Sequence, residues 1–248
     1  VTRSSLIPSL LQVIAYNNAH SQKDVHLYEI ARTYSKGEEI HQIAIAMSGI
    51  YHETKWQQTT KNVDFYVVKG LVEDILASFG LDEKRVMIKR SEAKELHPGR
   101  SADIYVGKDY IGFVGQIHPK MAKKYDVSET YVAQLNFTKL MTIRTSKVKF
   151  SSIPVYPSVT RDIAFVVREE IAVDDMIKAI KKAGKAIVNH SEVFDVYQGE
   201  HVEAGYKSVA IQITFQDTTK TLKDEDISKA MESILATLEK SFEAKLRG

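Results

Sequence analysis

The order in which the apolar periods change along the second half of this chain limits its fold more than any other sequence feature. A strand-like alternation comes first, followed by a helical stripe that Gly184 closes. Two more strand-like runs, a second helical stripe and a short final strand complete the chain. The predicted strands span 161–167, 188–197, 207–216 and 242–247, and the predicted helices carry the stripes from Val173 and Ile227. This β-α-β-β-α-β order predicts a ferredoxin-like domain.

The first half has a different pattern, with several strands and few helices. One helical stripe starts at Ile7, and a clearer one runs from Phe65 to Phe79, with Asn62 or Asp64 available as N-cap. A short helix is expected from Pro119. The predicted strands span 25–34, 40–51, 85–90, 101–106, 110–117 and 131–137. One long helix against many antiparallel strands is typical of an α+β module, so we assign the whole chain to the α+β class.

A proline-containing stretch without helical period, 146–157, separates the two patterns. We therefore predict two domains, 1–150 and 151–248. The length of 248 residues suits two cores. The second domain holds 13 Lys and Arg against 16 Asp and Glu, a net −3, and the first holds 21 against 16, a net +5. Neither has the strongly basic profile of a protein that binds nucleic acid through bulk charge.

Several classes of site are excluded by the sequence. The chain has 0 Cys, which excludes disulfides, thiolate metal sites and cysteine nucleophiles. It contains no P-loop, no G-x-S-x-G motif and no His pair at helical spacing. We therefore expect no catalytic residues and no metal site in this segment. No apolar run is long enough to cross a membrane as a helix. The chain begins without Met, so we expect a segment of a longer polypeptide.

A ferredoxin-like sheet carries both helices on one face and leaves an open face, and period-2 alternation indicates which side chains reach it. Asp195 and Tyr197 alternate outward on the second strand, Ser208 on the third and Ala164 on the first. The alternation turns the following residues toward the helices: Ile163, Phe165, Val167, Phe194, Val196, Val209, Ile211, Ile213 and Phe215. An exposed tyrosine on such a face can stack an unpaired base. It can equally be an ordinary strand tyrosine.

Short strings in both halves together resemble the C-terminal region of the β subunit of bacterial-type phenylalanyl-tRNA synthetase. The strings in the first half are 3–11, 27–32, Trp56 with 64–65 and 69–70, 96–102 and 115–119. Those in the second half are 156–158, 161–164, 194–199, 207–208 and 221–222. The resemblance spans essentially the whole chain, and it is the order and spacing of the strings that make it specific.

For the first half, the resemblance implies a class II synthetase-like module, built on an antiparallel sheet, that has lost its catalytic residues. No Gly-x-Gly occurs in the chain, and two Arg-x-Glu matches, at Arg90 and Arg168, are not followed by the second motif that a working site needs. The family implies a cytoplasmic assembly of two α and two β chains in which this module is scaffold. ATP and Mg²⁺ are used by the whole enzyme, and this segment is expected to bind neither. Editing and metal-binding regions would lie upstream.

For the second half, the resemblance implies a domain that grips the anticodon loop of tRNA(Phe). In the family, the wobble guanine stacks on a tyrosine while an aspartate and a serine form hydrogen bonds with it, and a small alanine lets another anticodon base approach. The matching strings assign these roles to Tyr197, Asp195, Ser208 and Ala164. The alternation places the same four residues on the open face.

Two alternatives belong to other functional classes. Ferredoxin-like folds also host amino-acid-sensing regulatory modules of the ACT type, which usually have a glycine in the turn after the first strand. Residues 168–172 contain no glycine, which disfavours that alternative. A free-standing synthetase-like enzyme is disfavoured because the ATP-binding motifs are missing.

Overall fold

The computed structural model describes residues 3–35, 37–81, 85–143, 145, 154–200 and 202–247. The chain divides into two compact units, Val1–Lys149 and Phe150–Gly248, called unit 1 and unit 2 below. Each unit has its own hydrophobic core and its own sheet.

Unit 1 is built on an antiparallel sheet with strand order β1-β2-β8-β7-β6-β5. The strands of this sheet are β1 (Val25–Ser35), β2 (Glu38–Ser48), β5 (Val86–Arg90), β6 (Leu96–Val106), β7 (Asp109–Ile117) and β8 (Thr130–Asn136). A separate hairpin is formed by β3 (Ile50–Thr54) and β4 (Thr59–Asn62). The helices are α1 (Ile7–Ala19), α2 (Phe65–Ser78), α3 (Pro119–Tyr125) and α4 (Phe137–Thr142). The antiparallel α+β prediction is confirmed.

Helices cover both faces of the unit 1 sheet. Val68, Val72 and Leu76 of α2 pack against one face, where alternate residues of β2, β6, β7 and β8 are buried. Leu10 and Ile14 of α1 pack with the intervening residues of the same strands on the other face. Alternate side chains of a strand point to opposite faces, so a strand buried on both sides needs apolar residues at nearly every position.

Two parts of unit 1 differ from the sequence prediction. The predicted strand 40–51 is interrupted at Gly49, whose φ of +81° suits glycine, and a side chain there would collide with Asp24. The chain then turns into the β3–β4 hairpin, which the sequence analysis missed because 51–62 is polar and has no apolar period. Helix α4 was missed as well, since its six residues are too few to show a period.

Unit 2 has strand order β10-β11-β9-β12, with every neighbouring pair antiparallel. Its strands are β9 (Val159–Arg168), β10 (Val188–Tyr197), β11 (Tyr206–Phe215) and β12 (Lys245–Leu246), and its helices are α5 (Val173–Ala183) and α6 (Asp224–Phe242). Residues from both helices share one core with Phe165, Val209 and Ile211 of the central strands. The β-α-β-β-α-β prediction is confirmed.

Helix α6 begins after Lys223, whose backbone N–H donates to the Asp226 carboxylate at 3.4 Å. The helix continues through Phe242 and ends at Glu243, whose φ is +52°. The predicted final strand 242–247 is therefore reduced to two residues of β12.

Candidate nucleic-acid interface

The open face of unit 2 is the side of β9, β10, β11 and β12 that faces away from α5 and α6. Residues paired directly across antiparallel strands lie side by side on one face. Two rows of the open face hold all four residues that the sequence predicted. The rows are Tyr197–Ser208–Val166 and Asp195–Ala210–Ala164. The rows are two residues apart along each strand, about 7 Å. The register thus places the four residues close together.

A bulge in β10 sets which of its side chains reach the open face. The register between β10 and β11 shifts between Val193 and Asp195, which leaves Phe194 as an extra residue. The prediction that Phe194 turns toward the helices is wrong, since its side chain is 58% exposed. Val193 packs against the core instead. Val196 pairs with Val209 on the helix side, as predicted, but stays half exposed at the end of the strand.

Tyr197 is 36% exposed, and its ring is held from two sides. The ring lies against Gly199, where an added Cβ would be 2.6 Å from the tyrosine Cζ. The guanidinium carbon of Arg247 is 6.0 Å from the ring centroid, within the range of a cation–π contact. Glycine at 199 therefore leaves the room that this ring position needs.

Asp195 and Ser208 differ sharply in accessibility. Asp195 is exposed, and its carboxylate forms no hydrogen bond or ion pair with another described residue. Ser208 is only 5% exposed, although it belongs to the open face by register. It lies between Tyr197 and Val166 in its row. The exposed carboxylate of Asp195 can accept hydrogen bonds, whereas Ser208 has little access to solvent.

The neighbouring polar residues already have partners within unit 2. Gln212 and Asp162 pair in the next row of the open face, where the Gln212 amide donates to the Asp162 carboxylate at 3.0 Å. Lys207 Nζ donates to the carbonyls of Glu169 and Ile171 at 2.9 and 2.6 Å. Partial burial lowers the pKa of Lys207. Lys207 thus ties its strand β11 to the turn after β9.

Two cations of the open face were missed by the sequence analysis. Lys245 pairs with Val166, and the backbone N–H of Arg247 donates to the Ala164 carbonyl at 2.8 Å. Strand β12 therefore adds Lys245 to the Tyr197 row, and Arg247, just beyond the end of this strand, lies beside Ala164 in the Asp195 row. The predicted last strand contained both residues, but a sequence without register could not show which face they take.

The two Arg-x-Glu matches have structural partners. Arg90 Nε donates to the Pro98 carbonyl at 2.9 Å. Arg168 forms an ion pair with Glu243 at 2.7 Å, and this carboxylate raises the pKa of the guanidinium. Within the described ranges, no group of three or more His, Asp or Glu side chains could hold a metal ion. Both arginines thus have partners within the part of the chain that the structure describes.

Three open grooves, of about 500, 580 and 400 Å³, lie elsewhere on the two units, and none of the four predicted residues lines them. The candidate interface is one face of a sheet. Such a face suits a flat base better than an enclosed small molecule. In the part of the chain that the structure describes, no helix combines the length and the apolar character of a membrane span.

Comparison with known families gives a match for each unit. The family model described as "Phenylalanyl tRNA synthetase beta chain CLM domain" matches residues 1–137, more than half of the chain. The chain belongs to the phenylalanyl-tRNA synthetase β chain family. A second model, "Ferredoxin-fold anticodon binding domain", matches residues 154–247. Neither match is to an amino-acid-sensing module, so the regulatory alternative has no support.

Curated relatives carry the same family name. This β chain segment is 42% identical to the phenylalanine–tRNA ligase β subunit of Geobacillus kaustophilus, 41% to that of Bacillus licheniformis and 39% to that of Bacillus subtilis. In each case the alignment covers 100% of this chain and 32% of the relative. The chain thus spans about a third of the length of these relatives. Pyrrolysyl-tRNA synthetase from Desulfitobacterium hafniense is a solved structure with a TM-score of 0.43 and 13% identity, covering 56% of this chain and 48% of its own. A likeness that low carries no argument.

Proposed function

We propose that this chain acts as part of the β subunit of phenylalanine–tRNA ligase and that unit 2 binds the anticodon loop of tRNA(Phe) through its open face. The observation that carries the proposal is the anticodon-binding family match to 154–247, over a domain whose open face holds Tyr197 and Asp195 in adjacent rows. Ala164 and Ser208 complete the proposed site.

The chemistry of the face suits guanine. The ring of Tyr197 offers a surface on which a base can stack, a contact worth about 1–3 kcal/mol. The free carboxylate of Asp195 can accept hydrogen bonds from N1–H and N2–H₂ of guanine. Ala210 and Ala164, beside Asp195 in its row, keep the floor low enough for a base to approach. Ser208, which is buried in this structure, joins the site only after a local rearrangement that exposes its hydroxyl.

The net charge of the second half does not oppose this role, because two cations lie where an RNA backbone would pass. Lys245 and Arg247 bring positive charge to the open face, although the second half as a whole is acidic. Phosphate contacts position an RNA without reading its sequence. We infer that these two side chains hold the backbone while Tyr197 and Asp195 read the base.

Unit 1 is proposed to be the scaffold on which the α subunits of an assembly of two α and two β chains pack. The two covered sheet faces and the hydrogen bond of Arg90 to the Pro98 carbonyl support a structural role. ATP and Mg²⁺ serve the whole cytoplasmic enzyme. No step of phenylalanine activation is assigned to residues of this chain.

A binding titration with two anticodon stem-loops tests the proposal. One RNA carries the phenylalanine anticodon and the other a changed wobble base, both at one stated salt concentration. Tyr197→Ala should weaken binding of the first RNA about 5- to 100-fold, the loss of a stacked base. Thermal unfolding should be nearly unchanged, because the ring is partly exposed.

Phe194→Ala is the matched control, since Phe194 is also an exposed aromatic residue of β10. It should leave both affinities unchanged. Equal affinity of the parent chain for the two RNAs would contradict base reading. Equal losses in the two variants would contradict the assignment to Tyr197.

A further inference from the structure

The β3–β4 hairpin of unit 1 presents an aromatic side chain that the proposed function does not use. The hairpin is a two-stranded sheet separate from the main sheet. Its residues from Tyr51 to Asn62 are exposed, with Thr54 partly so. Trp56 lies in the turn between the strands, is 82% exposed and is the single tryptophan of the chain. Its ring therefore offers a large exposed surface to a ligand.

The base of the hairpin is fixed to the rest of unit 1. The backbone N–H of Ile50 donates to the Asp24 carboxylate at 2.6 Å, and that of Val63 donates to the Gly49 carbonyl at 2.9 Å. Val63 is buried, and Asp64 then caps α2. The hairpin is thus anchored where it leaves the domain, and the indole is held out from a defined position.

The turn itself is closed by local contacts. Gln58 adopts a left-handed φ of +52°, and its N–H donates to the Lys55 carbonyl at 3.2 Å. The ammonium groups of Lys55 and Lys61 form no ion pair or hydrogen bond with other described residues. The residues between them, apart from Trp56, are uncharged glutamines and threonines. The hairpin therefore presents one ring and two lysines without ion-pair partners among the described residues, together with one carboxylate, that of Glu53 in β3.

This composition favours nucleic acid over a protein partner. An indole that anchors a protein interface is typically surrounded by packed neighbours that exclude water. Strand β4 offers none, since it contains only Thr59, Thr60, Lys61 and Asn62 and is exposed throughout. A base needs one ring face, and the adjoining phosphates need cations.

We propose that the β3–β4 hairpin binds an unpaired segment of RNA, with Trp56 stacking on a base and Lys55 and Lys61 contacting phosphates. The inference rests on the proposed function in taking an RNA as the partner, but it concerns a different unit and different residues. It gives unit 1 a binding role in addition to its proposed scaffold role.

The single tryptophan makes the test direct. The 248-residue chain is titrated with a short single-stranded oligoadenylate while tryptophan fluorescence is recorded, with a duplex RNA of the same length as reference. The single strand should quench Trp56 and the duplex should not. The same quenching is expected in Tyr197→Ala, because that change lies in unit 2.

Variants then distinguish the contribution of the Trp56 ring to RNA affinity from that of the two lysines. A label on the RNA reports binding. Trp56→Ala should weaken oligoadenylate binding about 5- to 100-fold. The double variant Lys55→Ala with Lys61→Ala should lower the slope of log affinity against log salt by about 1.4. Tyr16→Ala, an exposed aromatic on α1, is the control and should change neither.

The outcomes distinguish this inference from the proposed function. If labelled RNA binds in a Tyr197-dependent way but Trp56 is not quenched, the hairpin proposal is wrong and the anticodon proposal stands. If Trp56 is quenched while Tyr197→Ala leaves stem-loop affinity unchanged, the hairpin proposal stands and the anticodon proposal is wrong. A spectral change of Trp56 on adding the α subunit, with none on adding RNA, would replace the RNA with a protein partner. Absence of any RNA binding would contradict both.

Discussion

The two sheets of this chain differ in how many of their faces are covered. In unit 1, helices α2 and α1 bury opposite faces of one sheet, so that neighbouring residues such as Ile45 and Ala46 are both buried. In unit 2, α5 and α6 cover one face only. Phe165 is then buried, whereas its neighbours Ala164 and Val166 remain partly accessible. A sheet with helices on both faces is entirely part of the core, whereas a sheet with helices on one face leaves its other face accessible to a ligand.

The same difference explains why the candidate base-reading residues fall in unit 2. Residues on an uncovered face need not be apolar, and those of unit 2 are small, charged or aromatic. The buried faces of unit 1 tolerate few polar groups unless they are hydrogen-bonded. Its one proposed contact, Trp56, lies on a hairpin outside the sheet.

The strongest test of this comparison uses adjacent residues on β9. Phe165→Ala removes a fully buried ring and should lower the unfolding free energy of unit 2 by about 3–5 kcal/mol. Val166→Thr, one residue further and on the open face, should change it by less than about 1 kcal/mol. Thermal or denaturant unfolding measures both. Similar losses in the two variants would mean that the open face is also packed.

The sequence predicted the elements whose signal is a long apolar period. Helices α1, α2, α5 and α6 were found in this way, because each buries one stripe against a sheet. The four candidate site residues were predicted where alternation and a family resemblance coincided, and the strand register places them on one face. Phe194 was misplaced, since a bulge adds one residue to a strand without changing its composition.

Other parts of the site depend on contacts between distant segments. Arg247 reaches the open face only because the short β12 pairs with β9, some eighty residues earlier in the chain. Ser208 is buried although its register places it on the open face, and the ring of Tyr197 has its position only because residue 199 is a glycine. Rows such as these arise from pairing register, which no single strand encodes.

The second prediction concerns the pH dependence of the stability of unit 1, and its expected effect on the unfolding free energy is smaller. Tyr131 is buried in unit 1 and donates to Glu129 at 2.6 Å. Burial, and after it this hydrogen bond, raises the pKa of Tyr131 to about 12. Below about pH 10 the Tyr131 phenol is neutral in both the folded and the unfolded protein. Above it, the unfolded phenol ionises while the folded one keeps its proton, so stability falls by up to about 1.4 kcal/mol per pH unit until about pH 12.

Tyr131→Phe isolates this contribution. The variant should lose stability less steeply than the parent between about pH 10 and 12, by up to the same 1.4 kcal/mol per unit. The remaining slope includes Tyr110, whose pKa burial also raises to about 12. Denaturant unfolding of unit 1 at several alkaline pH values gives the two slopes. Parallel slopes would show that Tyr131 is not shielded by the covered sheet.

The smallest expected effect concerns the edge of the open face. Arg247→Gln removes a charge that we assign to phosphate contact, so both anticodon stem-loops should bind about 2- to 5-fold more weakly. Their affinity ratio should stay constant, because phosphate contacts do not read bases. Arg161→Gln is the control, an exposed arginine of β9 that bonds the Thr160 carbonyl. A selective loss for the guanine-bearing loop would instead make Arg247 a reader of the base, acting with Tyr197 through the 6.0 Å contact between them.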